Sequence, residues 1–164
     1  MWLLLLRGAK EAGDASAGAQ PPGAAVVGAA LGAMDAPLPF ETINFAGNEL
    51  TAAGMRSIAE GMGRGRLPNL REVNAGFNPA LGDGGAAALA EALADCASLE
   101  VLQFTSCGVG GAGFEAVAAV VPRWPRLRAL YAVHNPGPSD ALGRALAAAL
   151  PSLPDAEEFW LAGS

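Results

Sequence analysis

Residues 70–78 have the sequence LREVNAGFN, in which apolar residues occupy positions 1, 4 and 6 and asparagine occupies position 9. Closely similar patterns begin at Phe40, Leu99, Leu127 and Ala156, so the five copies are separated by 30, 29, 28 and 29 residues. A nearly constant spacing of this kind is typical of repeat architectures, in which each copy is one supersecondary unit. The sequence therefore predicts stacked units that start near residues 40, 70, 99, 127 and 156.

Each copy predicts a short strand followed by a helix. In the strand, positions 4 and 6 face the core and positions 3 and 5 face away from it, because side chains alternate between the two faces. After position 9, residues recur at intervals of four, as in Leu81, Gly85, Leu89 and Leu93, which places them on one stripe of a helix. Many of the 37 alanines of the 164-residue chain lie in these segments, and alanine has the highest helix propensity. The pattern predicts an α/β solenoid.

This pattern resembles the leucine-rich repeat, L-x-x-L-x-L-x-x-N/C-x-L, which has a period of about 20 to 29 residues. The long units are similar to the ribonuclease-inhibitor-like subclass, which includes the sensor regions of NOD-like receptors and the Ran GTPase-activating proteins. The resemblance implies a curved α/β solenoid with parallel strands on the concave side and helices on the convex side. Because repeat arrays normally need caps, a chain that stops on a strand at Ser164 either leaves that strand as an open edge or is a fragment of a longer horseshoe, and we predict the fragment.

Position 9 lies where the chain turns out of each strand. A small polar side chain there can satisfy backbone groups of the turn and of the neighbouring unit. The predicted structural turn ladder consists of Asn48, Asn78, Cys107 and Asn135. Since the family allows Asn or Cys at this position, Cys107 is predicted to be structural. It and Cys96 are too few for a disulfide framework, which favours a reducing, cytoplasmic location.

Residues 1–39 are predicted to form a degenerate leading repeat, and residues 40–164 the regular array. Leu4 and Leu6 can be aligned with strand positions 4 and 6, and the helix would run from Ala24 to Met34. Between them, residues 8–23 are rich in Gly, Ala, Ser and Pro and are predicted to be a flexible insertion.

No membrane segment is predicted in this first part of the chain. The apolar run of residues 1–6 ends at Arg7, short of the roughly 7–15 residues of a secretion signal. The second apolar run, Ala24 to Met34, is much shorter than the roughly 20 residues that cross a bilayer. We therefore expect a soluble protein.

The fourth unit departs from the pattern after Asn135, where the sequence continues PGPSD. We predict that its turn is rebuilt around Ser139 or Asp140 as a helix N-cap, with the helix running from about Ala141 to Leu150.

Motifs for catalysis are missing from the sequence. None of the patterns G-x-x-x-x-G-K-[ST], G-x-S-x-G, H-E-x-x-H or C-x-x-C occurs. The lone histidine, His134, has no nucleophile that the sequence places beside it. A net charge of −6 argues against nucleic acid as a partner, since phosphate binding needs clustered cations. The sequence predicts no enzyme, no cofactor and no metal site.

Binding of another protein is the predicted function, through the concave face of the strands. The row at position 5 consists of Asn44, Asn74, Gln103, Tyr131 and Trp160, and the row at position 8 of Gly47, Phe77, Ser106, His134 and Gly163. Tyr and Trp are enriched in interface hot spots, so we place the centre of the patch at Tyr131, His134 and Trp160. The other predicted partner-binding residues are Asn44, Asn74 and Gln103. The alternative for Trp160 is that it covers the end of the array or contacts the next repeat of a longer protein.

Position 2 alternates in charge. Its members are Glu41, Arg71, Glu100, Arg128 and Glu157. Since adjacent strands lie about 4.8 Å apart, this row predicts cross-strand ion pairs that set register and solubility.

An alternative function is implied only by the resemblance: a regulatory fragment of a GTPase-activating protein or of a NOD-like receptor, with a small GTPase as partner. The small number of repeats and the lack of a strongly acidic tail argue against it. A third interpretation is a partial or non-functional open reading frame.

Overall fold

The structure is a computed structural model that describes residues 3–5, 22–137 and 140–161. Within these residues, six short strands form one parallel sheet in chain order: β1 Leu3–Leu5, β2 Thr42–Asn44, β3 Glu72–Asn74, β4 Val101–Gln103, β5 Ala129–Tyr131 and β6 Glu158–Trp160. The connecting helices are α1 Pro22–Ala33, α2 Ala52–Met62, α3 Gly82–Leu93, α4 Gly111–Val120 and α5 Asp140–Ala149. Each helix joins two neighbouring strands, which confirms the predicted α/β solenoid.

The strands pair in the register that the repeat predicts. Position 4 of each unit stands beside position 4 of the next, as in Ile43 beside Val73 and Val73 beside Leu102. In β2 to β5, positions 4 and 6 are buried. Phe159 and Leu161 are only partly buried, because β6 is the last strand of the described sheet and has a neighbour on one side only.

The helices cover one face of the sheet. In α3 and the turn before it, the predicted stripe of Leu81, Gly85, Leu89 and Leu93 is buried. Helices α1 and α2 approach so closely that a Cβ on Gly61 would lie 2.0 Å from the carbonyl oxygen of Gly28. Among the described residues, no helix has both the length and the apolar character needed to cross a bilayer.

Two helices differ from their predicted bounds at both ends: α1 ends at Ala33 instead of Met34, and α5 ends at Ala149 instead of Leu150. Helix α1 begins at Pro22, so Pro22 and Gly23, which were predicted to belong to the flexible insertion, are helical. The rest of that insertion, residues 8–21, lies outside the described residues. Helix α5 begins at Asp140, one residue before the predicted start, so Asp140 is the first helical residue and not the N-cap. The alternative N-cap, Ser139, lies outside the described residues.

Candidate partner-binding face

The turn ladder at position 9 is buried and joins consecutive units. Asn78 illustrates its geometry: Oδ1 accepts hydrogen bonds from the backbone N–H groups of Asn48 (3.1 Å) and Leu50 (2.9 Å) in the preceding unit. Its Nδ2 donates to the carbonyl oxygens of Phe45 (3.0 Å) and Ala75 (2.8 Å). One amide therefore satisfies backbone groups of two units at once, which a buried turn requires.

Asn135 repeats this arrangement two units later. Its Oδ1 accepts from the backbone N–H groups of Cys107 (3.0 Å) and Val109 (3.1 Å), and its Nδ2 donates to the carbonyl oxygen of Phe104 (2.8 Å). Asn48 is buried in the same way and donates to the carbonyl oxygen of Phe45 (2.9 Å). The asparagines thus link neighbouring turns across the array.

Cys107 occupies the same slot with fewer bonds. Its Sγ donates to the carbonyl oxygen of Ala75 (3.0 Å) and, more weakly, to that of Thr105 (3.5 Å). Burial raises the pKa of Cys107 to about 11, and burial together with the neighbouring Asp95 raises the pKa of Cys96 to about 12. Both thiols therefore stay protonated at neutral pH, a state that is poorly reactive.

Position 8, one residue before the ladder, has a left-handed backbone in four consecutive units: φ is 66° at Gly47, 59° at Phe77, 54° at Ser106 and 57° at His134. Glycine adopts this conformation without strain, whereas a bulky residue pays about 1–2 kcal/mol. Phe77 nevertheless occupies the position, and its side chain is 62% exposed.

Phe77 is the residue that the predicted patch omitted. Two sequence signals pointed to it: Gly47 occupies the same position one unit earlier, and the other members of the row are smaller or polar. His134 lies on this row as well, exposed at the turn after β5. Its side chain makes no hydrogen bond or ring contact with another described residue.

The amides at position 5 are partly committed to their own turns. Asn44 Oδ1 accepts a hydrogen bond from the N–H of Ala46 (2.9 Å), and Asn74 Oδ1 accepts one from the N–H of Gly76 (2.9 Å). Both side chains are half-buried, as is that of Gln103. A partner would meet their remaining polar atoms rather than a free amide.

Tyr131 and Trp160 form a pair on adjacent strands, with ring centroids 6.4 Å apart and planes at 49°. The Tyr131 hydroxyl donates to Glu158 Oε2 at 2.7 Å, and this hydrogen bond is the main cause that raises the pKa of Tyr131. Trp160 is 55% exposed. The structure thus brings two of the three predicted central residues into contact and adds Glu158 to them.

Charge is distributed unevenly along the strands. Positions 3 and 5 of β2 to β6, which we call the strand face, carry two ionisable carboxylates, Glu72 and Glu158, and no cation. Position 2 holds the ion pairs that the sequence predicts. These pairs are Arg71 with Glu100 (3.0 Å), Arg128 with Glu100 (3.6 Å) and Arg128 with Glu157 (2.5 Å).

No metal centre is formed by the described residues: no group of three His, Cys, Asp or Glu side chains converges there.

Comparison with known proteins identifies the repeat. A family model described as "Leucine Rich repeat" matches residues 66–90 and 95–118. The mouse Tonsoku-like protein is 37% identical over 73 residues, which make up 44% of this chain and 5% of that protein. These matches do not assign a subclass, so the ribonuclease-inhibitor-like resemblance stays a prediction. The family match, the repeats and the parallel sheet with its helices together show a leucine-rich repeat solenoid.

Proposed function

We propose that this protein is a non-catalytic module that binds another protein on its concave side, through the strand face and the position-8 row. One observation carries the proposal: Phe77 and Trp160, the two exposed aromatic side chains among the described residues, lie on these two rows. Phe104 and Trp124, by contrast, are fully buried, and Tyr131 and Phe159 are partly buried. Exposed aromatics surrounded by polar groups are the usual anchors of protein interfaces.

The backbone at Phe77 supports the same proposal. A bulky residue with a positive φ is uncommon and costs stability, and an exposed side chain regains little of that cost through packing. Strain of this kind is concentrated at functional sites. A contact with a partner is a use that would offset it.

The test selects binders from a library of displayed random 12-residue peptides and measures their affinity for variants of the chain. We expect Tyr131→Ala and Trp160→Ala to weaken the selected peptides about tenfold or more each. The matched control is Leu150→Ala, which removes an apolar side chain that is 46% exposed after α5. The control should bind like the unmodified chain.

Two results would contradict the proposal. In one, no peptide is enriched by the chain. In the other, the enriched peptides bind the Tyr131 and Trp160 variants as tightly as they bind the Leu150 control.

Two finer assignments belong to this proposal. We place the repeats in the ribonuclease-inhibitor-like subclass, because α2 to α5 are full helices of 10 to 12 residues. We place the protein in the cytoplasm, because its two buried cysteines are free thiols and a reducing compartment maintains thiols. The alternative of a GTPase-regulating fragment has no specific observation in its favour and stays a prediction.

A further inference from the structure

We propose that Tyr131, Glu158 and Trp160 form a site for one cationic side chain, a lysine or an arginine, of the bound protein. We call these three residues the cation corner. The proposal rests on the proposed function and specifies the chemistry of the partner at this point of the surface.

The backbone places the three side chains together. In the parallel register of β5 and β6, Tyr131 stands beside Trp160, and Ala129 stands beside Glu158. Glu158 and Trp160 are two residues apart on one strand, so they point to the same side of the sheet. Ala129 contributes only a methyl group there and is buried, whereas Glu158 is exposed. The hydrogen bond from Tyr131 to Glu158, at 2.7 Å, then fixes the carboxylate against the phenol ring.

The two rings are angled rather than stacked. Their planes meet at 49° with centroids 6.4 Å apart, so both can turn a π-face toward one group that lies over the pair. A lysine or arginine head within about 6 Å of an aromatic centroid is attracted by the ring quadrupole. The carboxylate adds a charge-assisted hydrogen bond to the same cation. Two aromatic rings and a carboxylate are therefore a set that prefers a cation to a neutral group.

No cation of the strand face occupies this corner already. Positions 3 and 5 of β2 to β6 carry no Lys, Arg or His. The cation nearest along β5 is Arg128, which is engaged by Glu157 at 2.5 Å and by Glu100 at 3.6 Å. Glu158 itself is paired with a neutral hydroxyl. Its charge thus lacks a counter-ion among the described residues, and Trp160 leaves the corner accessible.

A purely structural contact would behave differently from a binding site. If the Tyr131–Glu158 bond served only to fix the edge strand, the corner would not discriminate between cationic and neutral ligands of the same shape. Ligand charge is therefore the variable to test.

The experiment is an NMR titration that follows the indole N–H signals. The probes are the N-acetyl, N-methylamide derivatives of lysine, arginine and neutral norleucine. From the shift of the Trp160 signal, we expect dissociation constants for the lysine and arginine probes that are about three- to fivefold lower than that for norleucine. This is the range of an exposed cation–π contact. The Trp124 signal is the internal control, because its Nε1 donates to the Leu93 carbonyl in the core (2.9 Å). It should not move.

Two variants that each remove one carboxylate distinguish the cation corner from the overall negative charge of the strand face. Glu158→Gln should abolish the preference for the cationic probes. Glu72→Gln removes an exposed carboxylate from the same face but three strands away, and it should preserve that preference.

The proposal is overturned if norleucine binds as well as lysine and arginine, if none of the three shifts the Trp160 signal, or if Glu72→Gln acts like Glu158→Gln. If one of these results is obtained while peptide binding still requires Tyr131 and Trp160, the cation corner is refuted and the proposed function stands. If the cation preference is retained but substitution of Tyr131 and Trp160 leaves peptide binding unchanged, the proposed function is refuted instead.

Discussion

Neighbouring residues of this array serve opposite purposes, as Phe77 and Asn78 show. The Phe77 side chain is 62% exposed and strains the backbone, whereas Asn78 is 0% exposed and bonds two units together. The difference follows from one backbone feature. Position 8 has a left-handed backbone, with φ of 59° at Phe77, and the side chains on either side of this turn are exposed at position 8 and buried at position 9. Position 9 therefore contributes stability, and position 8 is available for binding.

The largest effect is expected when this inward bond set is removed. Asn78→Ala leaves the backbone N–H groups of Asn48 and Leu50 without their acceptor. Since each buried unpaired group costs about 1–3 kcal/mol, the free energy of unfolding should fall by about 3 kcal/mol. Urea denaturation measures it. Asn74→Ala is the control, because the Asn74 amide is half-buried and bonds only within its own turn. It should lower the free energy of unfolding by less than about 1 kcal/mol. Equal losses in the two variants would refute the bridging role.

The second effect concerns the thiol member of the buried row. The pKa of Cys107 in the folded chain is about 11, above its ordinary value of 9.0, so the unfolded chain loses the proton first as the pH rises. The stability contributed by the protonated thiol is thus present below pH 9 and is lost between about pH 9 and 11, by about 1 kcal/mol at pH 10. In Cys107→Ala, the difference in the free energy of unfolding between pH 8 and pH 10 should be smaller than in the unmodified chain. An identical pH dependence in that variant contradicts the assignment.

The third effect has the opposite sign for stability. Phe77→Gly relieves the left-handed strain and should raise the free energy of unfolding by up to about 1 kcal/mol. Gly47, at the same position one unit earlier, shows that the turn accepts glycine. Phe77→Ala is the control, since it removes the ring but keeps a Cβ at a positive φ, and it should gain less. Thermal denaturation compares the two. A destabilised Phe77→Gly variant would show that the ring packs on the fold.

The smallest effect is expected at the charged row. Glu100 contacts both Arg71 and Arg128, but the arginines are about half exposed. Exposed pairs of this kind contribute about 0.2–1 kcal/mol, so Glu100→Gln should lower stability by a few tenths of a kcal/mol for each pair, and less in 1 M salt. Denaturation at low and high salt checks this. An effect of 2 kcal/mol that persists in salt would contradict the surface assignment.

Much of the fold was predictable because the repeat fixes both the strand register and the inward-facing residues. Leu102 and Phe104 could be assigned to the core from spacing alone, and all four members of the turn ladder could be listed. The sequence did not show that Asn44 and Asn74 accept hydrogen bonds from their own turns, because an amide at position 5 can equally well face solvent.

The site was less predictable than the fold. The partnership of Glu158 with Tyr131 depends on side-chain rotamers across two strands, which spacing does not specify. Phe77 was overlooked because its exposure follows from a positive φ, a conformation that the sequence indicates only indirectly, through glycine and small or polar residues at the same position of the other units.

The most direct test of the division between positions 8 and 9 measures the affinity of one selected peptide for Phe77→Gly and for Asn78→Ala, under conditions in which both variants are folded. Folding is verified by circular dichroism in the same samples. The account predicts that Phe77→Gly binds about tenfold more weakly and that Asn78→Ala binds like the unmodified chain. Unchanged binding by Phe77→Gly, or weakened binding by folded Asn78→Ala, would contradict it.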